Sequence, residues 1–319
     1  MFRFLKIALS AAAVAAVSAV SAAPAFAQSW PTQRVTIVVP FGAGSVTDIL
    51  ARIFADEMGK KWGQQVVVEN KAGLAGTASV AKAAPDGYTL MVTSNGHTVS
   101  NLVSKDAPFD GVKDFAGITR LGSAPLFLIT NPGVPGKTLK EIIEQAKKEP
   151  GKLNFSSPGL ASTTFIAGAL FRKAAGINIV HVPFRSAPDA VTAVIRGDAQ
   201  MYFAPVNLAR DQSEAGKVNA IAAATAQRIP ELPNTPTFTE AGLPFVYDSW
   251  FGLMAPAATP KPILEKISKD WADALKTPDM QAKIKGQFLI AVTDTPAAMD
   301  KRIKDETENL ANVFKEAGI

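Results

Sequence analysis

The chain has 319 residues, 47% hydrophobic and 19% charged, with a mean hydropathy of +0.13; that is enough apolar material for one large or two ordinary α/β domains and too much for a disordered chain. The net charge of +5 is small and scattered, with no run of Lys and Arg interleaved by aromatics, so nucleic acid is not an expected partner. Cysteine is absent, which removes disulfides, thiolate metal sites and Cys nucleophiles and leaves nothing to misoxidise in an oxidising compartment.

The N-terminus sets the compartment. Arg3 and Lys6 form a positive n-region, Ile7 to Val20 an Ala/Val-rich apolar core, and Ala25-Phe26-Ala27 a small-x-small cleavage site. Residues 1–27 read as a signal peptide, because the apolar run is short of the roughly 20 residues that span a bilayer and Pro24 closes it. The mature chain is then a mildly basic export.

Val35 to Val39 is the first predicted strand, and it runs through a Gly/Ser/Thr turn directly into an amphipathic helix capped by Ser45 or Thr47 and stopped by Gly63. The first amides of such a helix have no internal partner and the aligned peptide dipoles make that end positive, so a small anion is its natural guest. Val66 to Glu69 and Tyr88 to Val92 are the next strands, separated by an Ala-rich helix that ends near Ala84. After Ser94-Asn95-Gly96-His97 the chain is looser to Gly117, and Phe127 to Thr130 is a buried strand. Thr138-Leu139-Lys140-Glu141 is a capping box for a helix that Pro150-Gly151 ends. The pattern then restarts with a strand at Leu153 to Phe155, a hydroxyl-rich loop over Ser156 to Thr164, and a helix over Phe165 to Ala175. Ile179 to Pro183, Met201 to Phe203 and Val218 to Ala223 complete this half, with Pro188 in the first turn of a helix that Gly197 closes. Ser249 to Met254 is apolar, and the helices over Pro260 to Leu275 and Pro296 to Glu316 bring no sheet of their own, so they are expected to return to the first domain. The fold class is α/β: two domains with a cleft between them, the first made of residues 28–126 and 225–319 and the second of 127–224.

Several motifs fall short of a chemistry. Gly42-x-Gly44-x-x-Thr47, with Glu69 at the end of the second strand, approaches a dinucleotide fingerprint, but the third glycine is missing and Asp48 would face the pyrophosphate. Gly136-Lys137-Thr138 resembles the end of a phosphate loop, yet Pro132 and Pro135 remove amides that such a loop needs. With two histidines, no H-E-x-x-H and no G-x-S-x-G, neither a zinc hydrolase nor a serine hydrolase is signalled, and no cofactor or metal is expected. His181 lies in an apolar strand and reads as structural; His97, at a strand's C-terminal end, either lines the cleft or caps its loop. Capping explains one hydroxyl among Ser156, Ser157, Ser162, Thr163 and Thr164 and hardly needs five, so a second anion site is expected there. Arg185 either adds a charged contact or is a solvated loop cation.

Pro40-Phe41-Gly42-Ala43-Gly44-Ser45-Val46-Thr47-Asp48, Val67-Val68-Glu69-Asn70-Lys71-Ala72-Gly73, Ala84-Pro85-Asp86-Gly87-Tyr88-Thr89-Leu90, Ser157-Pro158-Gly159, Val182-Pro183-Phe184 and Pro236-Thr237-Phe238-Thr239-Glu240-Ala241-Gly242 resemble, in order, the Bug family, the solute-binding receptors of tripartite tricarboxylate transporters. The resemblance implies a periplasmic binding protein of the type II class, acting as a monomer, that closes on a small carboxylate and delivers it to a membrane permease. It implies ligand contacts from Phe41, Ala43, Gly44, Ser45, Thr47 and Asp48 in the first loop and from Ser157, Gly159, Ser162, Thr163 and Thr164 in the second. Ser94, His97, Phe184, Arg185, Ala204 and Asp248 are the further candidates around the cleft, with Phe41, Phe184 or Trp250 as apolar packing for a monoacid and closure about the crossings near Leu126 and Thr225. The chain departs from relatives at Ser45 and Ala161, often glycine there, and at Phe165, often histidine. Many relatives also carry an acid where Ala204 stands; its absence favours a plain mono- or dicarboxylate over an amino acid, while Asp48 weighs the other way. A secreted enzyme using the same cleft and a sensor subunit for a signalling kinase are the rival readings.

Overall fold

Runs of β-branched residues alternating with amphipathic segments give a repeated strand–helix pattern, and the computed structural model, which describes residues 30–317, arranges it as two five-stranded sheets. The elements below belong to one unit that begins at Gln33. The signal peptide read over residues 1–27 lies outside the described residues.

The first sheet holds β1 (Val35–Val39), β2 (Val66–Asn70), β3 (Thr89–Ser94), β4 (Phe115–Ala124) and β10 (Ser249–Pro256). The second holds β5 (Leu126–Thr130), β6 (Asn154–Ser157), β7 (Val180–Pro183), β8 (Met201–Pro205) and β9 (Asn219–Ala223). Their orders, β2-β1-β3-β10-β4 and β7-β6-β8-β5-β9, repeat one pattern: three parallel strands, then an antiparallel strand, then an outer strand that pairs with it. The outer pairings are β10 with β4 and β5 with β9. The chain passes from the first sheet to the second at Pro125 and returns between β9 and β10.

In the first half α1 (Val46–Trp62), α2 (Leu74–Ala81) and α3 (Ser100–Val103) follow the parallel strands, the last by way of a 3₁₀ turn over Asn95–Val99. α4 (Leu139–Lys148), α5 (Thr163–Ala175), α6 (Ala187–Arg196) and α7 (Val206–Glu214) serve the second sheet, and α8 (Lys261–Ala274), α9 (Pro278–Lys285) and α10 (Pro296–Ala317) close the chain. The capping box forms: Glu141 N–H donates to Thr138 Oγ1 at 3.3 Å and Thr138 N–H to Glu141 Oε2 at 3.1 Å. α6 starts at capping Ser186 with proline in its first turn and ends at Gly197.

Three expectations change. β4 starts at Phe115, at the end of the segment read as loose, and runs on through Ala124, a stretch left unassigned; its two glycines hid it, and Gly117 is there because a Cβ would lie 2.7 Å from the Met299 side chain of α10. α7 and α9 are helices that the chain pattern left unassigned. α10 does more than cover the first sheet. Met299 and Ile303 pack with Val38, Met91 and Met254, whereas Leu310, Val313 and Phe314 enter the core of the second sheet with Phe165, Phe171 and Phe203. At 22 residues, it is long enough to join both cores.

At the middle of α10, Glu306 Oε1 accepts the Trp250 indole N–H at 2.8 Å, and Glu306 Oε2 is buried without a partner among the described residues. Burial raises this carboxyl to about 7, with nearby Asp248 adding to the shift and Trp250, Arg302 and Arg120 opposing it. A carboxyl raised in the fold binds more protons folded than unfolded, so its ionisation destabilises the protein increasingly as pH rises from about 4.5 to about 7. Denaturant titrations should therefore find Glu306→Gln equal to the parent near pH 4 and about 3 kcal/mol more stable above pH 7; a gap that does not change with pH would refute the assignment.

Candidate functional site

β1, β3 and β6 end at the C-terminal edges of their parallel strands, the edge at which open α/β sheets take ligands. The two edges meet at Gly96. A Cβ on Gly96 would lie 2.4 Å from the carbonyl oxygen of Ala161, so the turn after β3 and the loop after β6 are in backbone contact across the lobes.

In the first loop, Ser45 caps α1 by accepting the Asp48 N–H at 3.2 Å; Thr47 is buried inside the helix and takes no part in the cap. Asp48 is 2% exposed, and its carboxylate accepts from Gly44 N–H at 2.9 Å, Arg52 Nε at 3.0 Å and Asn70 Nδ2 at 3.0 Å. Burial works to raise its pKa, but the bonds from Arg52, the Gly44 amide and Asn70 outweigh it and hold the carboxyl below its ordinary value. Asn70 also donates to the Phe41 carbonyl at 3.2 Å, which ties the loop to the end of β2. Asp48 is thus a brace for the loop, and the expectation that it faces a ligand is corrected. Gly42, Ala43 and Gly44 are exposed, Phe41 is half-buried, and the amides of Ala43, Val46 and Thr47 have no acceptor among the described residues.

In the second loop, Ser162 is the cap, accepting Phe165 N–H at 3.1 Å, so α5 starts at Thr163. The surplus of hydroxyls has internal uses. Ser156 donates to the Ala190 carbonyl at 2.9 Å, Ser157 Oγ accepts Gly159 N–H at 3.2 Å and shares a hydrogen bond of 2.7 Å with His181 Nε2, and Thr164 bonds Ser162 at 3.2 Å. Thr164 also contacts Tyr202, whose phenol burial pushes up to about 12. Thr163 alone of the five has no side-chain bond among the described residues. Besides that hydroxyl, the loop leaves main chain unpaired among the described residues: the amides of Leu160, Ala161, Thr163 and Thr164.

The outlying candidates divide. Ser94 is buried at the end of β3 without capping the turn, and Ala204 is buried within the sheet opposite Phe127. Phe184 is half-buried against the Phe127 and Tyr202 cluster, and Arg185 is exposed with no ion pair among the described residues. His97 does not line the cleft: it is 4% exposed, its Nε2 meets the Gly111 carbonyl at 2.8 Å, and its ring lies 4.9 Å from that of Phe115. Burial drives its pKa down to about 4, and the Gly111 carbonyl opposes that only partly, so it is a neutral core histidine. Asp248 is also withdrawn, since Arg120 and Ser123 donate to it and Arg302 Nη1 lies 3.3 Å away. Trp250 is wholly buried and cannot pack on a ligand.

Residues that sequence reasoning missed are those doing the bracing. Arg52 stands four positions after Asp48 on α1, a spacing that could have paired them. Asn70, Gly96, Asn95 and Tyr247 carried no local signal; Asn95 Nδ2 donates to Tyr247 OH only because the chain returns there from the second sheet.

Asp48→Ala should cost about 1–3 kcal/mol in chemical denaturation, since it strands the Gly44 amide and the Arg52 guanidinium, and should speed amide exchange over residues 42–45. Gly96→Ala should lower stability by about 1–3 kcal/mol and expand the protein in solution scattering, because backbone on the other lobe must retreat. An unchanged radius and melting point would mean that the contact is not kept in solution.

Among the described residues no helix is long and apolar enough to cross a membrane and no cluster of potential metal ligands occurs. Residues 50–319 match the family described as the tripartite tricarboxylate transporter family receptor. BugT of Bordetella pertussis is 30% identical over 302 residues, spanning 93% of each chain. A Rhodopseudomonas palustris protein solved with adipate is 29% identical with a TM-score of 0.74, over 91% of this chain and 99% of that one. MatC from Rhodopseudomonas palustris, solved with bound malate, is 30% identical with a TM-score of 0.71, over 89% and 99%. The fold is that of the two-lobed periplasmic binding proteins. By that shared architecture and a match that runs from α1 to the end of α10, the chain belongs to the receptor family of the tripartite tricarboxylate transporters.

Proposed function

We propose that this protein is a periplasmic receptor that captures a small dicarboxylate without an amino group between its lobes and hands it to the membrane permease of a tripartite transporter. The observation that carries the reading is the pair of helix-start loops, Phe41–Asp48 and Ser157–Thr164, on sheet edges that meet at Gly96 and Ala161. Each leaves several amides unpaired at the positive end of a helix of 13 residues or more, which suits one carboxylate per lobe. A diacid touching both loops favours the closed arrangement by its differential contacts, whereas a monoacid would engage one loop and need apolar packing from Phe41 or Phe184. The ligands of the two Rhodopseudomonas palustris relatives, adipate and malate, are both dicarboxylates.

The exclusion of an amino group rests on charge. Ala204 supplies no acid, and the carboxylates of Asp48 and Asp248 are taken up by Arg52, Asn70 and Arg120. An ammonium would find no free anion among these candidates. Arg185, exposed two residues after β7 and without an ion pair among the described residues, is proposed as a charged contact after closure. The periplasmic site follows from the signal peptide read at the N-terminus, and a monomer is the proposed state. An enzymatic role has little to use: Ser157 and His181 are the atoms of a nucleophile–base pair, but Ser157 is fully buried.

The protein should be unfolded and refolded to strip carried-over ligand, then screened by thermal shift against mono- and dicarboxylates, amino acids, NAD and nucleotides. A diacid at 100 times its Kd should stabilise the fold by about 2.7 kcal/mol, with succinate-like acids ahead of aspartate and glutamate. Preference for the amino acids would overturn the ligand class, and silence from all acids with a response to nucleotides would return the cleft to an enzyme. Crosslinking in membranes should recover permease subunits; recovery of a kinase instead would make the protein a sensor.

A further inference from the structure

His181 reads in the sequence as a structural strand residue, and the fold places it against both ends of the second loop. Its strand β7 pairs with β6 in parallel register, Phe155 opposite His181 and Ser157 opposite Pro183. From there the imidazole meets both ends of the loop. At the entrance, Nε2 shares the 2.7 Å bond with Ser157 Oγ, the same atom that accepts Gly159 N–H at 3.2 Å. At the exit, its ring lies 4.6 Å from that of Phe165, the residue whose amide Ser162 caps. Phe155, 5.2 Å away on β6, backs the ring. Between these two anchors Gly159 adopts φ +126°, a backbone conformation that glycine reaches freely and that residues with side chains rarely adopt, so the turn between the anchors is closed by glycine.

We infer that His181 is a positioning residue of the β6–α5 loop: by holding Ser157 and Phe165 together it sets the direction in which the free amides of Leu160, Ala161, Thr163 and Thr164 face the cleft. The imidazole is kept neutral, as burial pushes its pKa down to about 4, so the bond to Ser157 persists across the neutral range. The same ring borders a pocket of about 240 Å³ between α5 and the end of α10, which Arg172 and Lys173 also line.

The part of this inference that concerns ligand affinity rests on the proposed function; the part that concerns loop order does not, and the test separates them. His181→Phe keeps the ring packing and removes the bond, His181→Gln can restore a bond to Ser157, and Ser157→Ala removes the partner. Amide exchange on the ligand-free proteins should show residues 159–164 exchanging about tenfold faster in His181→Phe and near the parental rate in His181→Gln. Calorimetry with malate and with adipate should show about a tenfold rise in Kd for His181→Phe, recovery in His181→Gln, and no further loss when Ser157→Ala is added to His181→Phe. Exchange unchanged by His181→Phe, or Phe and Gln variants equally impaired in step with their melting points, would overturn the inference. If the parent binds neither diacid, that ligand assignment fails, and the exchange measurement still decides the role of His181.

Discussion

Everything at the cleft depends on the approach of two sheet edges at Gly96, where the absence of a side chain lets the Ala161 carbonyl of the other lobe come into contact. Parallel strands leave their C-terminal ends ringed by helix starts, and a ring of helix starts is a ring of unpaired amides. One such edge is a weak anion site. Two edges facing each other make a site that a ligand can close, because contacts to both lobes exist only when they come together.

The polar side chains around this site serve the main chain. Asp48, buried and bonded by three residues, holds the first loop to β2 through Asn70; Ser162, Ser157 and His181 do the same for the second. A buried carboxylate is tolerated only where donors surround it, and the donors here are the loop's own amide and its nearest cation. The result is a pair of internally braced loops whose free groups are mainly backbone N–H. Amides in fixed positions discriminate by geometry, which suits carboxylates of a given span, and they need no charge that would also attract other anions.

The lobes are joined by more than the two crossings. Arg120 on β4 forks onto Asp294 at 2.7 and 3.0 Å and also bonds Asp248, while Arg302 on α10 reaches both acids. This network locks the start of β10 to α10, and α10 in turn anchors in both hydrophobic cores. Any closure therefore has to be accommodated by the end of α10 that packs on Phe165, beside the loop that His181 holds.

Much of the architecture was legible in the sequence, since strand runs, caps and stop residues are local: Ser45, Ser162, Ser186, the Thr138–Glu141 box and the glycines after α1, α5 and α6 all act within a few residues of where they stand. So were the two strand–turn–helix starts at Ser45 and Ser162, because each is itself a local signal. β4 was hidden because it carries two glycines, of which Gly117 answers to α10, some 180 residues further on, and not to strand propensity. The roles of Asp48, Asp248, His97 and Trp250 were decided only by tertiary structure. Each is a residue type that could face a ligand, and which way it faces depends on whether a partner from elsewhere in the chain, Asn70, Arg120, Gly111 or Glu306, arrives to take it inside. Sequence by itself determined where amides would be left free; the fold decided which side chains would be spent keeping them so, because burial leaves a polar group either paired or expensive.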